Sequence, residues 1–170
     1  MKTTNKFYNK ILKNYFGRSP FGDKLTRDES FDLEMNCLTL INSNFQCICH
    51  NKCTHFPKLI EFDKKQFKLL LSNYGTSIDK LNHLQKKNII VYNLDKQLDC
   101  IIHNLKNANV QHRDMHLSGK NICIDNNGII SIIDFDLARI TDSKKHSKFY
   151  TELRKKIKKA IIYNNIKYIL

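Results

Sequence analysis

The sequence predicts an α+β fold of two small lobes: a reduced N-terminal antiparallel sheet over residues 1–75 and a small helical lobe over 76–170. Three observations predict it. Short apolar runs bounded by turn residues dominate the first part. Residues 93–107 carry a helical apolar period, and an Asn-Gly turn between two apolar runs marks a hairpin over 121–134.

The elements follow in order. Residues 7–13, FYNKILK, read as a short strand, and Gly17–Asp28, with its glycines, Ser-Pro and charges, reads as a loop. Phe31, Met35, Leu38 and Ile41 recur at helical spacing, which predicts a helix over 30–41 with Ser30 as its N-cap. A Cys/His-rich loop, 45–55, comes next. Strands at Lys58–Phe62 and Phe67–Leu71 flank the turn Asp63-Lys64-Lys65, and Asn73-Tyr74-Gly75 ends the pair. In helix 93–107 one face holds Leu94, Leu98, Ile101, Ile102 and Leu105. The runs NICID and IISIID flank Asn126-Asn127-Gly128, where Asn-Gly suits φ > 0 at both positions. A last helix from Ser147 aligns Phe149, Leu153, Ile157 and Ile161.

The chain has 170 residues, 29 Lys plus Arg and 16 Asp plus Glu, a formal charge of +13. With 41% hydrophobic and 26% charged residues it has the composition of a globular protein, which excludes a disordered tail. The charge favours anionic partners: nucleotide phosphates, nucleic acid or an acidic membrane surface. No apolar run approaches the roughly 18 residues that span a bilayer, and the N-terminus lacks a secretory pattern. The expectation is a cytoplasmic chain, at most peripheral at a membrane. Six cysteines in that setting imply a reducing compartment.

The chemistry concentrates in Val110–Arg139, which holds His112-Arg113-Asp114, then Asn121, then the hairpin, then Asp134-Phe135-Asp136. Carboxylate and amide oxygens suit Mg²⁺, and a hairpin brings Asn121 and Asp134, at its two ends, close together. Asp114, just before it, can orient or deprotonate an attacking hydroxyl. This order of motifs resembles the protein-kinase-like superfamily: His112-Arg113-Asp114 with Asn121 is similar to its catalytic loop, and Asp134-Phe135-Asp136 to its metal-binding DFG element.

The resemblance implies an ATP- and Mg²⁺-dependent phosphotransferase. Asp114 would be the base, and Asn121 and Asp134 would bind metal. Ser72–Gly75 would be the adenine hinge, with Ser72 and Tyr74 beside the nucleotide, and Lys120 would approach the γ-phosphate. Glu34 would position the phosphate-binding lysine, which is Lys10 or Lys13, with Lys10 preferred. The chain departs from the family in three places. Six residues separate Asp114 from Asn121 where the family has four, and Ser118-Gly119 is the place for a bulge that absorbs two. Asp136 replaces the glycine of DFG. No G-x-G-x-x-G covers the phosphates, so a non-catalytic pseudokinase stands as an alternative.

Only about ten residues separate Asp136 from the last helix. DFDLARITDSKKHSKFYTELRKKIKKA resembles the lipopolysaccharide core kinases of the Kdo/heptose type, whose acceptor is a sugar hydroxyl of a glycolipid. A Ser/Thr protein kinase, with a protein acceptor, is the alternative within the class. The basic helix, with Lys144, Lys145, Lys148, Arg154, Lys155, Lys156, Lys158 and Lys159, offers a surface for anionic lipid. A nucleic-acid-binding module is the alternative outside the class, and no aromatic stacking platform accompanies the lysines.

Cys47, Cys49, His50, Cys53 and His55 crowd one loop. Their density admits Zn²⁺, but the spacing C-x-C-H-x-x-C-x-H matches no standard finger, so free thiols are the expectation. Cys37, Cys100 and Cys123 sit on apolar faces and read as small core residues. His116 has two readings, a phosphate contact or a hydrogen bond that shapes the loop.

Overall fold

The computed structural model describes residues 10–14, 25–49, 53–141 and 147–170 and, in the first strand, the side chain of Lys13. Strand β1 (Lys10–Asn14) leads to helix α1 (Arg27–Ser43), and strands β2 (Leu59–Asp63) and β3 (Lys68–Ser72) follow. These three strands form an antiparallel sheet in the order β1-β3-β2. The described part of the first strand begins at Lys10, within the run FYNKILK, whose residues 7–9 lie outside the described ones. Lys10 therefore stands at its start, opposite Ser72, while Lys13 stands opposite Leu69.

Helix α1 also starts earlier than expected. Thr26 caps it: its side chain accepts from the Glu29 N–H, and the Glu29 carboxylate accepts from the Thr26 N–H. Such a box is worth about 1 kcal/mol to a helix. Ser30 lies inside the helix, its N–H bonded to the Thr26 carbonyl. The inward stripe runs through Phe31, Glu34, Cys37, Leu38 and Ile41. Glu34 takes the buried place expected of Met35, which is only partly covered.

Thr76 opens the second part with strand β4 (Thr76–Ser77), helix α2 (His83–Asn88), strand β5 (Ile90–Val91) and helix α3 (Leu94–Asn107). Strand β6 (Val110–Gln111) precedes the hairpin of β7 (Ile122–Ile124) and β8 (Ile130–Ile132). Strand β9 (Arg139–Ile140), helix α4 (Ser147–Tyr163) and strand β10 (Lys167–Tyr168) complete the order. This part is less purely helical than expected, because its short strands build three small sheets, β4-β7-β8, β6-β9 and β5-β10. The class is α+β.

Helix α3 buries Leu94, Leu98, Ile101 and Leu105 completely. At about 1.5–3 kcal/mol for each fully buried large side chain, that face anchors the second part. Helix α4 packs Leu153, Ile157 and Ile161 into the same core, and Arg154 pairs with Asp95 and Asp99 of α3. Lys158 also meets Asp95. Two cations of the basic helix are thus used within the fold, and Lys148, Lys156 and Lys159 remain exposed. Lys144 and Lys145 lie outside the described residues.

The hairpin turn differs from the expected two-residue form. The Gly128 N–H bonds the Asp125 carbonyl, and of Asn127 and Gly128 only the glycine has positive φ, at 73°. A Cβ there would lie 2.0 Å from the Ile90 carbonyl oxygen. Among the described residues no helix is long and apolar enough to cross a membrane.

Candidate active site

Strand β1 and helix α1 converge on the residue that follows the hairpin. The Lys13 ammonium bonds the Glu34 carboxylate and, at 2.5 Å, Oδ1 of Asp134. Glu34 is buried, 1% exposed. Burial alone would lower the Lys13 pKa, but the charges of Glu34 and Asp134 outweigh it, and the ammonium is held above its ordinary value. Burial likewise opposes ionisation of Asp134, yet Lys13, with Lys120 behind it, keeps that carboxyl below the usual range. The lysine seen at the acidic cluster is Lys13, the alternative to Lys10; the Lys10 side chain lies outside the described ones.

Asp134 has φ 70°, a conformation that costs a non-glycine residue about 1–3 kcal/mol and is held by its surroundings. Those surroundings are specific. The next residue, Phe135, is fully buried and packs against Phe56 and against the ring edge of His112, 4.9 Å away. His112 Nε2 lies 2.8 Å from the Ile133 carbonyl oxygen and Nδ1 lies 3.3 Å from the Asp114 N–H. A carbonyl only accepts and an amide N–H only donates, which assigns the proton to Nε2. Burial lowers the His112 pKa, in keeping with this neutral tautomer. His112 therefore ties the loop of Asp114 to the residue before Asp134.

Asn121 joins the two groups from the other side. Its carbonyl accepts from the Ile133 N–H at 3.1 Å, closing the hairpin beside Asp134. Its Nδ2 donates to the Asp114 backbone oxygen at 2.6 Å and to Asp114 Oδ2 at 2.9 Å. Between Asp114 and Asn121 the chain makes a turn in which the Gly119 N–H bonds the His116 carbonyl and Gly119 has φ 76°. His116 takes the loop-shaping role: its Nε2 lies 2.6 Å from Asp114 Oδ1.

The side-chain oxygen of Asn121 is buried and has no hydrogen-bond partner among the described residues. A buried amide oxygen left bare is rare in native proteins. The Asp114 carboxylate is bonded by the same amide, and Asp134 follows the residue whose N–H the Asn121 backbone carbonyl accepts; amide and carboxylate oxygens are of the type a hard divalent cation takes. The Asp136 carboxyl feels this centre through its charge: it is pushed up to about 6 by burial and then by the Asp134 charge. Nothing in the sequence signals that shift, where Asp136 stands only as a departure from a motif.

The remaining predicted residues lie around this centre. Lys120 is exposed and acts on Asp134 through its charge. Ser72 is locked at the end of β3, its Oγ accepting from the Lys58 N–H at 2.9 Å. Ser72 and Tyr74 line a cleft of about 830 Å³ bounded by Gln97 and the Asn126-Asn127 turn. None of Lys13, Glu34, Asp114, Asn121 and Asp134 lines that cleft. Tyr74 still feels the cluster: burial and then Cys123 push its hydroxyl up to about 12, Lys13 opposes this, and Glu34 and Asp134 add to it.

No protein-family model matches the sequence, and no curated protein matches it.

Proposed function

We propose that the chain is an abbreviated two-lobed kinase-like phosphotransferase that moves the γ-phosphoryl of ATP to a hydroxyl. The single observation that carries this reading is the bridge of Lys13 between buried Glu34 and Asp134, formed at the end of the hairpin that Asn121 closes. A cation, a buried acid that orients it and an oxygen ligand set are the parts that phosphoryl transfer requires.

In this reading Asn121 and Asp134 hold Mg²⁺, which supplies charge neutralisation of the triphosphate oxygens when bound. Lys13, aimed by Glu34, binds nucleotide phosphate. Asp114 accepts the proton of the acceptor hydroxyl. Its Oδ2 is steadied by Asn121 and its Oδ1 faces His116, which provides an exit for that proton. Ser72 and Tyr74 mark the chain segment beside the base.

The acceptor this reading favours is a sugar hydroxyl of a glycolipid, as in lipopolysaccharide core kinases, over a protein side chain. Asp136 in the DFG position and the short connector to α4 support it. The exposed Lys148, Lys156 and Lys159 of α4 would meet an anionic surface.

A second reading, a kinase-like binding module without turnover, is favoured by one observation: both Asp114 carboxylate oxygens already carry hydrogen bonds. Slow release of γ-phosphate from Mg·ATP to water separates the two. The enzyme releases phosphate, and Asp114→Asn abolishes release while still binding Mg·ATP. Binding without release in the wild type establishes the second reading.

A further inference from the structure

The loop between α1 and β2 carries three cysteines whose sulfurs meet a fourth from helix α3. Sγ of Cys47 lies 3.8 Å from Cys49 and 3.1 Å from Cys53, Cys49 lies 3.0 Å from Cys53, and Cys53 lies 3.9 Å from Cys100. All four sulfurs fall within 4.8 Å of one another. Cys49, Cys53 and Cys100 are 2%, 5% and 0% exposed, while Cys47 reaches the surface. We propose that Cys47, Cys49, Cys53 and Cys100 form a structural Zn²⁺ site that fastens the loop after α1 to helix α3.

The geometry distinguishes this from the other fates of clustered thiols. A disulfide requires two sulfurs at about 2.05 Å, and all four cysteines are free. Four thiolates at about 2.3 Å from a tetrahedral Zn²⁺ stand about 3.8 Å apart. The Cys47–Cys49 and Cys53–Cys100 separations match that edge, and the two short contacts of Cys53 would spread by under about 1 Å around an ion. Four protein ligands that leave no open coordination position are the mark of a structural site and not of a catalytic one.

The surroundings supply the outer shell. Cys100 Sγ accepts from the Ile48 N–H at 3.5 Å and from Asn104 Nδ2 at 3.7 Å. N–H donors of this kind favour a thiolate. Asn104 is itself held at both ends of its amide, donating to the Gln46 carbonyl and accepting from the Gln46 N–H. His55 stands at the margin. Its Nδ1 donates to the Ile130 carbonyl at 2.6 Å and its Nε2 lies 3.4 Å from Cys49 Sγ, outside the set of four.

Loading balances simply: Zn²⁺ displaces four thiol protons and leaves a Zn(S)₄ group of charge −2, on a chain of charge +13. The consequence is mechanical. Through Thr54 and His55, whose carbonyls accept from Ser131 Oγ and the Ile132 N–H, the staple also joins β8, the strand that leads to Asp134. The inference stands apart from the phosphotransfer reading and uses none of its residues.

The test uses the full chain, refolded or purified in zinc-containing buffer and then dialysed. Elemental analysis should find one zinc per chain, released by a mercurial that blocks thiols. Replacing zinc by Co²⁺ in the wild type should give a sulfur-to-cobalt charge-transfer band and the intense visible bands of a tetrahedral site, which does not depend on any variant folding. Cys100→Ala should lower zinc affinity by more than about tenfold, whereas Cys37→Ala and Cys123→Ala should retain the metal. Protein without zinc whose six cysteines all titrate as thiols overturns the proposal. So does a weak octahedral cobalt spectrum, a Cys49–Cys53 disulfide, or loss of zinc in His55→Ala with retention in Cys100→Ala.

Discussion

Lys13 and Asp134 stand 121 residues apart in sequence and form an ion pair at 2.5 Å, with Glu34 as the third member. The pair links the first strand to the end of the hairpin. Because Glu34 is buried, the triad does not tolerate the loss of its cation.

Lys13→Met should therefore destabilise the fold by about 2–3 kcal/mol, since it removes the ammonium that two carboxylates share; Lys13 is itself a quarter exposed, which keeps the figure at the low end. Adding Glu34→Gln should restore most of the loss, giving a coupling of about 1 kcal/mol or more in a double-mutant cycle. Urea unfolding of the four proteins measures it. Strict additivity would show that Lys13 and Glu34 are not coupled in solution.

Asp136 gives a pH signature of defined sign. Its carboxyl moves from an ordinary 3.8 to about 6 because burial, and then Asp134, oppose its ionisation. Between those values the folded chain holds a proton that the unfolded chain has released, so this group lowers stability as pH rises from about 4 to 6 and no further above that. Asp136→Asn should raise the thermal midpoint at pH 7.5 by an amount that vanishes near about pH 4. Asp134 has the opposite sign: its depressed pKa contributes stability above 3.8 that is lost as acid protonates it. Thermal melts across this range check both, and a midpoint gain in Asp136→Asn that persists at acid pH would contradict the assignment.

Gly119 sets the path of the long loop. At φ 76° an added Cβ would lie 2.6 Å from the Ile78 Cβ, so alanine meets both a backbone and a packing penalty. Gly119→Ala should cost about 2 kcal/mol and displace Asn121 from Asp114. Chemical denaturation reads the first effect, and the Asn121 side-chain amide resonances read the second.

Asn121 has a donor half that is used and an acceptor half that is bare. Asn121→Ala should raise the Mg²⁺ concentration needed for half-maximal ATP-dependent stabilisation by about tenfold or more. An unchanged Mg²⁺ requirement would remove Asn121 from the ligand set.

Much of this centre is legible in sequence. Asp114, Asn121 and Asp134 follow from motif order and from an Asn-Gly hairpin whose ends must meet. Glu34 is expected only through the kinase-like resemblance, as the acid of the helix over 30–41. Lys13 is not singled out by the sequence, because a seven-residue basic and aromatic run does not mark its register against β3; pairing with Lys68–Ser72 sets that register. The capping box of Thr26 and Glu29 was readable as T-x-x-E, and Ser30 masked it. Cys100 was not legible as a partner of Cys47, Cys49 and Cys53. On α3 it has the spacing of a core residue, and only the packing of the loop against that helix brings the sulfurs together. Of the Cys/His run, His50 lies outside the described residues.

Thermal unfolding of the wild type and of Asp134→Ala, with and without Mg·ATP, tests the central claim most directly. The proposed phosphotransferase predicts that Mg·ATP stabilises the wild type, that ATP without Mg²⁺ does so far less, and that Asp134→Ala loses the effect while remaining folded. No stabilisation of the wild type by Mg·ATP, or an equal shift in Asp134→Ala, would contradict it.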